Sequence, residues 1–117
     1  MSQENIEFVD VAATGDIPPG SGQAFKVADR VIAVFNRDGE WFAIDDMCPH
    51  MGASLSDGHV EGQQVTCPWH AWSFDICDGS WCDNRALKID TFPVRVVADR
   101  IEVSAQPNPK AEGDLTH

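Results

Sequence analysis

Two short segments that each pair a thiol with an imidazole constrain this chain more than anything else in it. They are Cys48-Pro49-His50 and Cys67-Pro68-Trp69-His70, with residues 51–66 between them. Two thiolates and two imidazoles suit either of two centres. One is a tetrahedral zinc ion, for which two Cys and two His are a common set. The other is a two-iron, two-sulfide cluster with Cys on one iron and His on the other. Zinc modules with this set usually group Cys with Cys and His with His, the histidines on a helix. Here each segment carries one of each, so two loops can clamp a flat two-iron unit from both sides. Donor count alone leaves both centres open. His59 and His117 stand outside the pattern and read as ordinary surface or core histidines.

Length and charge narrow the setting. At 117 residues the chain suits one domain, with no room for a second sizeable core. The expected division is a single domain over residues 1–104 and a loose polar tail over 105–117. A formal net charge of −11 argues against nucleic acid and anionic membranes as partners. It favours a protein with a basic docking face, although acidity also serves solubility alone. No apolar run nears the roughly 18–20 residues that span a bilayer. Met1–Glu7 lacks the basic start and apolar stretch of an export signal. The expected compartment is therefore the cytoplasm, where Cys77 and Cys82 read as free thiols rather than a disulfide.

The pattern is all-β, an antiparallel sandwich of short strands. Ile6–Val11, Ala24–Val27, Val31–Phe35, Trp41–Ile44, Thr91–Val97 and Arg100–Val103 carry strand signals. Asp38-Gly39 between β-rich runs marks a hairpin. Asp78-Gly79 and Ala98-Asp99 mark further turns, and Pro18-Pro19-Gly20 a loop. About residues 45–85 the strands become brief (Gln64–Thr66, Trp72–Ile76) and Cys, His, Trp and Gly become dense. The expected layout is a β scaffold with an inserted Cys/His-rich lobe, rigid strands supporting loops that carry the ligands.

Cys48-Pro49-His50-Met51-Gly52 and Cys67-Pro68-Trp69-His70 resemble the paired motifs of the Rieske [2Fe–2S] family. Leu55-Ser56-Asp57-Gly58, Phe74-Asp75 and Phe92-Pro93-Val94 extend the resemblance to small Rieske ferredoxins over roughly residues 6–104. It implies a Rieske domain with one [2Fe–2S] cluster, Cys48 and Cys67 on the buried iron and His50 and His70 on the outer one. Pro49 and Pro68 would stiffen the ligand loops, and Gly52 would permit a turn. Trp69, Trp72 and Trp81 read first as packing for a lobe short of core, and otherwise as a shield or docking surface. The third loop that often covers the cluster with a Pro corresponds here to Cys82-Asp83-Asn84-Arg85, which has none.

Histidine in place of thiolate leaves the site less negative and raises the potential, from about −400 mV to roughly −150 to +300 mV. Respiratory relatives add a loop-to-loop disulfide and place Ser and Tyr hydroxyls beside the sulfurs. The matching positions here are Ala53 and Trp69, then Trp72 and Phe74, so the low end of that range is expected. The midpoint should be flat near neutral pH and fall in alkali as the imidazoles deprotonate.

The resemblance implies a one-electron carrier rather than an enzyme, taking electrons from a flavin reductase and delivering them to a terminal oxygenase. An alternative is the small subunit of an assimilatory nitrite reductase, docked on its large subunit. A zinc-stabilised binding module is the alternative outside redox chemistry. An oxygenase catalytic subunit needs a second iron with two His and a carboxylate, for which only His59 and His117 remain. No nucleophile–base arrangement suggests a hydrolase.

Overall fold

The computed structural model describes residues 7–46, 54–67 and 72–108. Among these it forms three antiparallel sheets. The central one is built from β2 (Ser21–Val27), β3 (Arg30–Arg37) and β4 (Glu40–Asp45), with β10 (Thr91–Phe92) at its edge. β1 (Val9–Ala13), β12 (Arg100–Val103) and β11 (Val94–Val97) make a second sheet in that order. The third runs in chain order through β5 (His59–Glu61), β6 (Gln64–Thr66), β7 (Ser73–Asp75), β8 (Ser80–Trp81) and β9 (Asn84–Lys88).

β3 explains the layering. Ile32 to Phe35 is a continuous apolar run, the mark of a strand buried on both faces. Ile32 and Val34 face a core shared with Val27, Phe92, Ile101 and Val103. Ala33 and Phe35 face the opposite way, into a core with Ile44, Leu55, Val65, Cys67 and Phe74. The inserted lobe is thus packed directly on the central sheet. Full burial of side chains such as Phe35 and Phe74 contributes about 1.5–3 kcal/mol each.

The turns follow their residues. Arg37 pairs with Glu40, and the two residues between, Asp38 and Gly39, have φ of 52° and 92°. That is the tight hairpin turn that an Asp-Gly pair favours. Buried Asn36 fixes it, donating from Nδ2 to the Ile17 carbonyl and accepting the Gly39 N–H, both at 2.8 Å. Ala98 and Asp99, at φ 51° and 68°, close the β11–β12 hairpin in the same way.

Some boundaries differ from the sequence reading. The first strand is Val9–Ala13, because its pairing with β12 begins at Val9↔Val103. The stretch Thr91–Val97 is two strands. Pro93 has no N–H to give a ladder, and the chain changes sheets there, Phe92 pairing with Ala43 and Val94 with Val103. β5, β8 and β9 were not expected as strands. Within the polar segment after Ala105, Asn108 bonds Thr91 through its N–H at 2.8 Å and its Nδ2 at 3.1 Å. No helix among the described residues is long and apolar enough to cross a membrane.

Candidate metal centre

Of the four expected ligands, Cys67 falls within the described residues. Cys48, His50 and His70 lie outside them, as do Met51, Gly52, Ala53, Pro49, Pro68, Trp69 and His117. Cys67 directly follows β6 and is only 1% exposed, among the apolar residues of the lobe core. Its thiol forms no disulfide. Its N–H donates to the Trp72 carbonyl at 2.8 Å. That bond joins the two residues flanking 68–71 and so closes the root of the second Cys/His segment. One step further, the hydroxyls of Thr66 and Ser73 bond at 2.9 Å.

The first segment is closed by a residue the sequence reading did not single out. Asp46, 7% exposed, follows β4. Its carbonyl accepts the Leu55 N–H at 2.6 Å. Its carboxylate accepts the Ser54 hydroxyl at 2.6 Å and the Ser56 N–H at 2.8 Å. These bonds tie the residues on either side of 47–53. An Asp two residues before Cys48, with Ser54 and Ser56 soon after the Cys-x-His segment, was the available signal. The 3-10 turn Leu55–Asp57 then carries the fully buried Leu55 into the lobe core.

Two of the three tryptophans near the motifs are placed. Trp72 and Trp81 stack, with centroids 4.0 Å apart and planes 18° apart, and Trp72 lies 6.2 Å from the Phe74 ring. Both indoles pack against the core that holds Cys67, which agrees with the packing reading.

Neither Cys77 nor Cys82 forms a disulfide. The Cys82 N–H donates to Ser73 O, which sets Cys82 opposite a residue four positions before Cys77. His59 is exposed on β5, paired with Thr66. The described residues hold no cluster of His, Cys, Asp or Glu able to grip a metal ion.

Residues 7–93, spanning both Cys/His segments, match the Rieske [2Fe–2S] domain model. The ferredoxin component of the naphthalene 1,2-dioxygenase/salicylate 5-hydroxylase systems of a Ralstonia species is 37% identical over 95 residues, covering 80% of this chain and 91% of that protein. The ferredoxin component of the Xanthobacter autotrophicus alkene monooxygenase system is 32% identical over 113 residues, covering 96% and 92%. Among solved structures, the complex of reduced oxygenase and oxidized ferredoxin in carbazole 1,9a-dioxygenase matches with a TM-score of 0.81 at 27% identity, over 91% of this chain and 100% of that one. A chain assigned as an NADH-dependent nitrite reductase small subunit from Mycobacterium tuberculosis matches with 0.81 at 27%, over 86% and 96%. With its layered β scaffold, the braced roots of both Cys/His segments and a family match over most of its length, this chain belongs to the Rieske [2Fe–2S] domain family.

Proposed function

We propose that this protein is the ferredoxin component of an oxygenase system, a one-electron carrier between a flavin reductase and a terminal oxygenase. In this reading Cys48 and Cys67 hold the inner iron, and His50 and His70 hold the outer iron. The cytoplasm is its compartment. The domain is residues 1–104, with the cluster lobe at about 45–85.

The observation that carries the ligand set is Cys67. A thiol this buried, unpaired and fixed at the root of a Cys/His segment has the chemistry that an iron–sulfur cluster asks of its sulfur ligands. When bound, the cluster supplies a site that takes up and releases one electron. The chain's own residues do the rest. Asp46 and the Cys67–Trp72 bond hold the segment ends in register, the Trp72–Trp81 stack and Phe74 exclude water, and the rigid sheets limit reorganisation. The ferredoxin names of the relatives support the carrier role. Delivery to a nitrite reductase large subunit is the second reading, favoured by the equal structural likeness to the Mycobacterium tuberculosis chain.

The test is reconstitution. Protein with two irons and two sulfides per chain, reduced through a flavin reductase, should pass electrons to an aromatic-ring oxygenase, with product formation dependent on added carrier. His50→Cys and His70→Cys should each shift the spectrum and lower the midpoint. Zinc without sulfide in the purified protein would overturn the reading. Retention of a sirohaem partner through purification would move it to the nitrite reductase subunit.

A further inference from the structure

Trp81 Nε1 is the buried side-chain polar atom left without a hydrogen-bond partner among the described residues. An unpaired buried donor costs about 1–3 kcal/mol, and buried indole N–H groups ordinarily find an acceptor. The ring is not free to turn toward water. It is held face to face on Trp72, 4.0 Å between centroids, while the backbone at Trp81 pairs with Phe74 and Asn84. The stack packs on the same apolar core as Cys67, and the Trp72 carbonyl already accepts the Cys67 N–H at 2.8 Å. The donor therefore belongs to a ring stacked on Trp72, the residue paired with the cysteine that the proposed function makes a cluster ligand, against the same apolar core.

We propose that Trp81 Nε1–H donates a hydrogen bond to a sulfur of the cluster that Cys67 helps to hold, and so raises its reduction potential. The proposal rests on Cys67 being a ligand. Sulfur is an acceptor that an otherwise apolar core offers once the cluster is in place. Reduction adds negative charge to the sulfurs, so a fixed donor stabilises the reduced form more than the oxidised one. Trp72 and Phe74 bring no hydroxyl to the site, and the Trp81 indole offsets part of that lack.

The test compares anaerobic redox titrations of the iron- and sulfide-replete wild-type protein and Trp81→Phe. The variant should shift the equilibrium toward the oxidised form by up to about tenfold, which is 59 mV for one electron. Replacing Trp81 with 3-benzothienylalanine keeps the ring shape and the stack but removes the N–H, and should lower the midpoint alike. This second variant covers the case in which Trp81→Phe folds poorly. A purely structural role would lower the melting temperature of Trp81→Phe and leave both midpoints unchanged in fully loaded protein; that result overturns the proposal. Failure of the ligand reading looks different: Cys67→Ser would then keep wild-type iron, sulfide and spectrum.

Discussion

The Asp46 carboxylate accepts the Ser54 hydroxyl at 2.6 Å and the Ser56 N–H at 2.8 Å, joining the end of a core strand to the far side of the first Cys/His segment. Asp46→Ala removes both acceptors and strands the half-buried Ser56 amide, while the Ser54 hydroxyl keeps Ser56 Oγ at 2.8 Å. The expected loss is about 1–3 kcal/mol, concentrated where residues 47–53 are anchored. Asp46→Asn keeps one carbonyl acceptor and should lose less. The measurement is the rate at which visible absorbance decays under a chelator, which should rise in the order wild type, Asn, Ala. Equal rates would remove Asp46 from any role in holding the segment.

Arg30 acts one position away. Its guanidinium meets Asp45 at 3.2 Å and Asp90 at 2.9 Å and lies 4.9 Å from the Phe92 ring centre. The Asp90 hydrogen bond and the Asp45 charge hold Arg30 firmly in its charged form, against the cost of partial burial. All three side chains are about one-third exposed, so solvent screening discounts each pair to well under 1 kcal/mol. With the ring contact, Arg30→Met should destabilise by about 1–2 kcal/mol in denaturant titration. Raising the salt concentration should shrink the difference from wild type, because screening weakens the pairs; a difference independent of salt would assign the effect to packing.

Gly79 closes the turn that the Asp78-Gly79 pair announces. It has φ of +79°, a conformation that L side chains rarely adopt. A Cβ there would also collide with the Ile89 carbonyl oxygen. The Gly79 carbonyl accepts the Ile89 N–H at 2.9 Å, so the backbones cannot part without losing that bond. Gly79→Ala should cost about 2 kcal/mol or more, seen as a lower midpoint of thermal unfolding. Gly39, at φ +92° with open space around its Cβ position, is the comparison. Gly39→Ala should cost less, since it carries backbone strain without the collision.

The legible parts were those encoded locally. Asp38-Gly39, Ala98-Asp99 and the two Cys/His segments are contiguous, so the hairpins, family and cofactor could be read without tertiary knowledge. β5, β8 and β9 were not legible, because they are short and largely polar (His59–Glu61, Ser80–Trp81, Asn84–Lys88), with too few apolar residues to show an alternation. Asp46 was missed for another reason: its role exists only once Ser54 and Ser56 fold back onto it. The Trp72–Trp81 stack likewise depends on β7 pairing with β8. Pro93 was visible, but as part of one strand; that it passes the chain between two sheets requires knowing that both sheets exist.

Cys77 offers a prediction whose sign can be worked out twice. Partial burial, and after it the negative charge of Asp75, push its thiol above the ordinary range, while a hydrogen bond from Gln63 Nε2 at 3.0 Å works the other way. A raised pKa means less thiolate at a given pH, and the thiolate is the reactive form. Near pH 8, Cys77 should therefore react with iodoacetamide more slowly than an unstructured cysteine despite its exposure. Asp75→Asn removes the opposing charge yet keeps a side-chain oxygen for the Cys77 N–H, which now bonds Asp75 Oδ1 at 2.8 Å. It should lower the pKa and speed alkylation. Gln63→Ala removes the stabilising donor and should slow it. Peptide mass mapping of the labelled site over time reads both variants, and a shift in the same direction for the two would show that access, not ionisation, sets the rate.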